Sequence, residues 1–274
     1  MPRSRTRPPK AEISQIKSRV EGKIKRASEF DPNQNMLLYG PPDSFKTRTA
    51  ASAPKVLIID CDEKGTDSVR RDLDPYTFRI EFWSEINEAY WYAQSGDHDY
   101  ESFALDGLTG LQTLAMNFVL GDEAARDASR DPDMPSRQIW QKVGQLMKTQ
   151  ITNWRNLEYN TIFTALARTR DVGEGGEEDD PVWHTGPMVS PSIAGHLEAA
   201  VGTIGYMMNR EVIVKSKTKD GKIRRRKEVR RRMLVGPQAR YTTKDRNGLF
   251  GEFVEAPDLA EMLELIKNGG KEAK

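Results

Sequence analysis

Apolar and polar positions along the chain switch between two periods, and that switching predicts its elements. Met36 to Tyr39, Lys55 to Asp60, Thr77 to Phe82, Tyr100 to Asp106 and Tyr159 to Ala165 read as short strands, and the apolar run Lys55 to Asp60, ending in a carboxylate, has the look of a buried parallel strand. Between and around them lie stretches with helical spacing: Arg48 to Ser52, Glu85 to Gln94, and Arg137 to Leu157 with Ile139, Val143, Leu146, Met147 and Ile151 on one face. Ile13, Ile16, Val20 and Ile24 predict a short amphipathic helix over 11–28, and Pro257 to Lys267 predicts a closing helix. Residues 121–136 are polar, with two prolines, and read as a loop. In the last third, Val201 to Met208 and Glu211 to Lys217 read as strands. Lys219-Asp220-Gly221 signals a hairpin turn, and Lys222 to Val235 the return strand. Strands alternating with helices predict an α/β fold with a mainly parallel sheet flanked by helices and antiparallel hairpin strands near the end. The expected organisation is a basic tail with a short helix over 1–30 and a core over 31–270 that includes a basic hairpin at 210–235.

Candidate chemistry gathers at the ends of three strands. Gly40-Pro41-Pro42-Asp43-Ser44-Phe45-Lys46-Thr47, followed by Arg48, fits the phosphate-binding pattern G-x-x-x-x-G-K-[ST] at all but one position. Backbone N–H groups of such a loop and of the helix after it point at phosphate oxygens. Lys46 would reach the β- and γ-phosphates of ATP, and the Thr47 hydroxyl would ligate Mg²⁺. Phe45 stands where the pattern has glycine, so a ring and a Cβ crowd the loop. The two other strand ends are acidic: Asp60 with Asp62 and Glu63 beyond it, and Asp106 before Gly107. Ligands of open α/β sheets collect at such carboxyl ends.

Composition adds three constraints. At 37% hydrophobic and 30% charged residues, the 274-residue chain can bury a core beneath a heavily charged surface. The single Cys61 excludes an intramolecular disulfide and suits a reducing cytosol. No apolar run reaches the roughly 18 residues of a membrane span, and the N-terminus lacks the apolar segment of a signal peptide; a soluble cytoplasmic protein is expected.

The net charge of +1 conceals segregated signs. Asp171 to Asp180 is an acidic, glycine-rich loop, either a partner contact or simply solvated. Arg224, Arg225, Arg226 and Lys227, with Arg230, Arg231 and Arg232 after them, form the densest basic run. It either tracks a nucleic-acid backbone or protects an exposed sheet edge with charge. Alternation would send Arg230–Arg232 to different faces, some of them pairing with acids.

In order, Gly40-Pro41-Pro42 with Lys46-Thr47, Ile58-Ile59-Asp60-Cys61-Asp62, Leu105-Asp106-Gly107-Leu108-Thr109, Thr161 to Ala165 and Lys244-Asp245-Arg246-Asn247-Gly248 resemble the RecA/RadA-like core of phage-encoded P-loop ATPases. The resemblance spans about Gln34 to Lys267. It implies an ATP- and Mg²⁺-dependent ATPase acting on single-stranded DNA in recombination or replication. It further implies a ring or filament of copies, with a single-strand-binding protein as another partner. Asp62 would activate water, with Glu63 the fallback; Asp106 would hold Mg²⁺ through water; Lys244 and Arg246 would reach a neighbour's nucleotide. The family's polar residue at the next strand end is Leu166 here, which shifts its coupling role to Thr164 or Arg168. The alternative is a non-hydrolysing scaffold with a degenerate loop.

Overall fold

The computed structural model describes residues 10–26, 33–62, 64–126, 135–172, 183–217 and 223–269. The chain divides into two units, Met1–Pro32 and Asn33–Lys274. In the first, helix α1 (Lys10–Glu21) stops short of the expected span, because Gly22 interrupts it and leaves Ile24 beyond its end.

The second unit is built on one sheet. The strands are β1 (Asn35–Gly40), β2 (Val56–Asp60), β3 (Tyr76–Arg79), β4 (Ser102–Asp106), β5 (Asn160–Asp171), β6 (Trp183–Pro187), β7 (Thr203–Lys217), β8 (Ile223–Leu234), β9 (Lys244–Asp245) and β10 (Phe253–Glu255). They run in the order β10-β8-β7-β1-β5-β4-β2-β3, with β6 on β5 and β9 on β7. From β7 to β3 every pairing is parallel; β8, β10, β9 and β6 join antiparallel. The fold is therefore α/β with a mixed, mostly parallel sheet and antiparallel strands toward the C-terminal end.

Helices cover both faces: α2 (Lys46–Ala50), α3 (Trp83–Ser95), α4 (Leu108–Arg126), α5 (Arg137–Arg155), α6 (Pro191–Ala200) and α7 (Leu259–Lys267). Alternation along the strands sorts the core into two layers. Leu37, Tyr39, Phe103, Leu105 and Phe163 pack with α3 to α6. Met36, Leu38, Ile58, Met207 and Met233 pack with α2 and α7. β1 is buried on both faces, which places the end of its apolar run, Gly40, deep in the molecule.

Three expectations need correction. The segment expected to be loop at 121–136 is helical to Arg126: Leu111, Ala115 and Val119 carry the apolar face of α4 forward, and buried Glu123 pairs with Lys142 of α5. The two strands expected at 201–217 are one, because Asn209 and Arg210 keep the pairing with Arg231 and Arg230. β5 continues past Ala165 to Asp171 against β6, which with α6 and α4 had no counterpart in the sequence reading. The acidic loop, from Gly173 on, and the hairpin turn at 219–221 lie outside the described residues.

Candidate nucleotide site

β1 ends in a loop that folds back around the Lys46 side chain. Ser44 is buried, and the Lys46 ammonium curls into the loop, donating to the carbonyls of Gly40 (3.2 Å) and Pro41 (2.8 Å) and to Ser44 Oγ (3.4 Å). Burial lowers its pKa, while Asp106 and Asp62 oppose that shift. Among the described residues, no acceptor takes the backbone N–H groups of Ser44 to Thr47. A cradle of free amides with a cation inside it fits a polyphosphate. A cleft of ≈ 340 Å³ opens here, lined by Asp43 to Arg48 and closed opposite by Gly65 and Ser68.

The acidic side of the cleft is set by strand register. Asp60 and Asp106 are cross-strand neighbours at the ends of β2 and β4, both buried. Asp60 accepts from Thr66 Oγ1 (3.0 Å) and the Asp62 N–H (3.2 Å), and Arg79 approaches to 3.6 Å. Asp106 receives Thr47 Oγ1 on one oxygen (2.7 Å) and Thr164 Oγ1 on the other (2.5 Å). Burial raises its pKa, and both hydroxyls resist that. Thr164 in turn accepts the Gly107 N–H at 2.8 Å, so β5 fixes the end of β4.

Asp62 lies between Gly107 and Gly110 at the start of α4. A Cβ at either glycine would collide with its carboxylate. Burial first, then Asp106 and Asp60, raise its pKa to about 6, against Lys46 and the Gly110 N–H. Gly110 is a site residue that sequence reading missed; its one signal is its place three residues after Gly107. Glu63 lies outside the described residues.

A family model for an AAA domain (AAA_24) matches residues 32–247. The chain belongs to this family of P-loop NTPases. No curated protein matches it significantly. Membership gives nucleotide binding and hydrolysis in general terms, usually of ATP with Mg²⁺. The residues present fit both. Mg²⁺ would lie by Thr47 and Asp106, whose oxygens already meet at the rim of the loop.

This AAA domain departs from its pattern at Phe45. The residue sits at φ 64° and ψ 25°, left-handed, as the N-cap of α2, and Asp43 has φ 59°. The loop has thus kept the backbone that glycine normally supplies, at a cost of about 1–3 kcal/mol for each such residue. The ring stays partly exposed at the rim of the cleft. Arg48 lines the cleft while paired with Asp72.

The remaining candidates lie elsewhere. Lys244 and Asp245 pair with Ile204 and Thr203, level with Met36 at the start of β1, roughly 13 Å along the strands from the loop. The Lys244 ammonium donates to the Glu198 and Val201 carbonyls (both 2.7 Å) and so caps the carboxyl end of α6. Arg246 is exposed. Arg225, Arg226 and Lys227 are exposed on a two-stranded β7–β8 ribbon, about 20 Å beyond the level of the loop; Arg224 pairs through its backbone with Ser216. A second cleft, of ≈ 680 Å³, is lined by Thr109, Gln112, Arg137, Trp140, Arg168 and Ser190, among others. Its exposed Trp140 reads in the sequence only as one position on a helix. Among the described residues no helix is long and apolar enough to cross a membrane.

Two outcomes test this site. Phe45→Gly should leave chemical-denaturation stability within about 1 kcal/mol of wild type, since relief of left-handed strain offsets glycine's entropy. Phe45→Val should lose at least about 1 kcal/mol, because a β-branched residue tolerates that backbone worst. Asp62→Asn is the second. A carboxyl whose folded pKa is raised stabilises the fold while protonated and loses that contribution as pH climbs through its folded value, here about 6. The stability gap favouring Asp62→Asn should therefore open between about pH 4 and pH 7. A gap that does not change across that window contradicts the half-buried position of Asp62 beside Asp60 and Asp106.

Proposed function

We propose that this AAA-family chain is a RecA-like ATPase that acts on single-stranded DNA in phage recombination or replication, as a homo-oligomer in the host cytoplasm. The observation that carries this reading is the β7–β8 ribbon. Its root touches the phosphate loop, where the Asn209 amide donates to the Asp43 carbonyl at 3.0 Å, and its outer part carries Arg225, Arg226 and Lys227. Lys227 also contacts Glu211, an exposed pair worth about 0–1 kcal/mol and easily exchanged for phosphate. A nucleotide site and a cationic surface at two ends of the same strands make a unit in which each can sense the other. The outer strands of the ribbon, Asn209 to Lys217 and Ile223 to Arg231, carry no aromatic residue to stack a base, and the second cleft supplies one in Trp140, beside Arg137 and Arg168.

In this reading Lys46 binds the β- and γ-phosphates, and Asp62 accepts a hydrogen bond from water and aligns it for in-line attack. Thr47 and Asp106, the latter held by Thr164, would keep Mg²⁺, which supplies charge neutralisation on the phosphate oxygens. Lys244 anchors the segment that presents Arg246 to a neighbouring copy, where a guanidinium can bridge phosphate oxygens. A second reading, a non-hydrolysing scaffold, is favoured by the crowded Phe45. Against it stand Lys46, Thr47, Asp62 and Asp106, assembled around one cleft.

Phosphate release by the wild type should rise with single-stranded DNA and vanish in Lys46→Ala; equal turnover by both proteins overturns the ATPase reading. Reversing Arg225, Arg226 and Lys227 to Glu should flatten the salt dependence of DNA binding by about two units of log K per log salt, given about 0.7 per phosphate contact on single strands. An unchanged slope returns the ribbon to a protected edge. Arg246→Ala and Lys46→Ala, each inactive alone, should recover part of the wild-type rate when mixed. Silence from a co-assembled mixture removes Arg246 from the neighbour's site.

A further inference from the structure

We infer that Arg231 is a phosphate-binding residue of the chain's own nucleotide site, reaching from the root of the β7–β8 ribbon to the polyphosphate held by the loop after β1. The inference rests on the nucleotide-binding reading of that loop.

Register brings Arg231 there. Met207 pairs with Met233 and Asn209 with Arg231, so these four residues share one face of the β7–β8 pair. Met207 and Met233 belong to the core layer that contains Ala50 of α2, the helix that begins in the phosphate loop. The Met207 carbonyl lies so close to Gly40 that a Cβ there would strike it. Two residues on, Asn209 donates to the Asp43 carbonyl of the loop. Directly opposed residues hold their Cβ atoms about 5 Å apart. Arg231 is thus one side chain removed from the loop backbone.

Its chemistry sets it apart from its neighbours. Arg230 pairs with Glu228 at 3.5 Å, and Arg232 pairs with Glu255 at 2.7 Å while lying over the Phe253 ring. Arg231 is half-buried, and among the described residues its guanidinium has no carboxylate or hydrogen-bond partner. Its Nε is out of contact with solvent and unpartnered. A guanidinium cannot shed its charge, so a half-buried, unpaired one is a standing cost that an anion relieves. Phosphate oxygens match its planar fork of donors. The anionic group that this face is built to receive is the one in the adjoining cleft.

The test uses the full chain and reads nucleotide affinity by titration calorimetry with ATP and Mg²⁺, alongside single-stranded DNA affinity and the thermal unfolding midpoint. Arg231→Gln should weaken ATP binding about tenfold or more, the size of a lost charged hydrogen bond, and leave DNA affinity and the unfolding midpoint near wild type. Arg231→Lys should recover part of the ATP affinity, and Arg230→Gln, on the opposite face, should change none of it. Unchanged ATP affinity in Arg231→Gln overturns the inference while Lys46→Ala still loses binding. A loss confined to DNA affinity also overturns it, by making Arg231 part of the DNA surface. If Lys46→Ala binds ATP as wild type does, the loop reading itself has failed, and this inference fails with it.

Discussion

Two carboxylates buried side by side impose the constraint on which the rest of the site depends. Asp60 and Asp106 close adjacent parallel strands and are almost wholly shielded from water. Such a pair persists only if each oxygen finds donors or a cation. The surrounding chain supplies them. Thr66 and Arg79 serve Asp60; Thr47 and Thr164 serve Asp106. Each of these contacts ties an element to the cleft. Thr47 fixes the start of α2, Thr164 fixes β5, and the turn at Gly65–Ser68 folds over the carboxylates because Thr66 is bonded to Asp60. Burial first, and the negative field of Asp106 and Asp60 after it, raise the pKa of Asp62, while burial alone draws down that of Lys46. A cation that bridges phosphate and Asp106 would relieve this crowding, so the fold stores at its centre a demand for the ligand it binds.

The loop and the ribbon answer the same demand from the other side. Glycine is absent from two left-handed positions, yet Asp43 and Phe45 hold the backbone that a phosphate cradle requires. Something outside the loop must keep them there. Asn209 is bonded to the Asp43 carbonyl, and the Met207 carbonyl packs on Gly40. The strand that braces the loop is also the strand that runs out into the cationic ribbon. The like-charged pair Arg210 and Arg230, opposed across the ribbon, is tolerated because Glu255 and Glu228 stand beside them.

The centre of this site is legible in the amino-acid sequence because it sits where apolar runs stop. Met36 to Tyr39 ending in Gly40, Val56 to Ile59 ending in Asp60, and Phe103 to Leu105 ending in Asp106 each announce a buried strand with a polar terminus. Lys46 and Thr47 follow from spacing, and Phe45 is visible as a departure, though not its left-handed backbone. What was not legible depends on pairing. Gly110 has meaning only once Asp62 is seen folded back on α4. The extension of β5 against β6 joins residues that carry no strong alternation. Along β8 a run of cations hides its own faces: period two is unreadable when nearly every position is Arg or Lys. Met233 opposite Met207 settles which arginine turns toward the loop. That Lys244 caps a helix end is not legible because that end, at Val201, lies 43 residues away along the chain.

The account turns on Asp106 joining Thr47 in a site for a divalent cation shared with nucleotide phosphates. The most direct measurement is ATP affinity as a function of Mg²⁺ concentration, in wild type and Asp106→Asn. The wild type should bind ATP more tightly as Mg²⁺ rises, and the variant should lose most of that dependence while its Mg²⁺-free affinity stays equal or improves, because a buried negative charge has gone. Identical Mg²⁺ dependence in the two proteins would contradict the account.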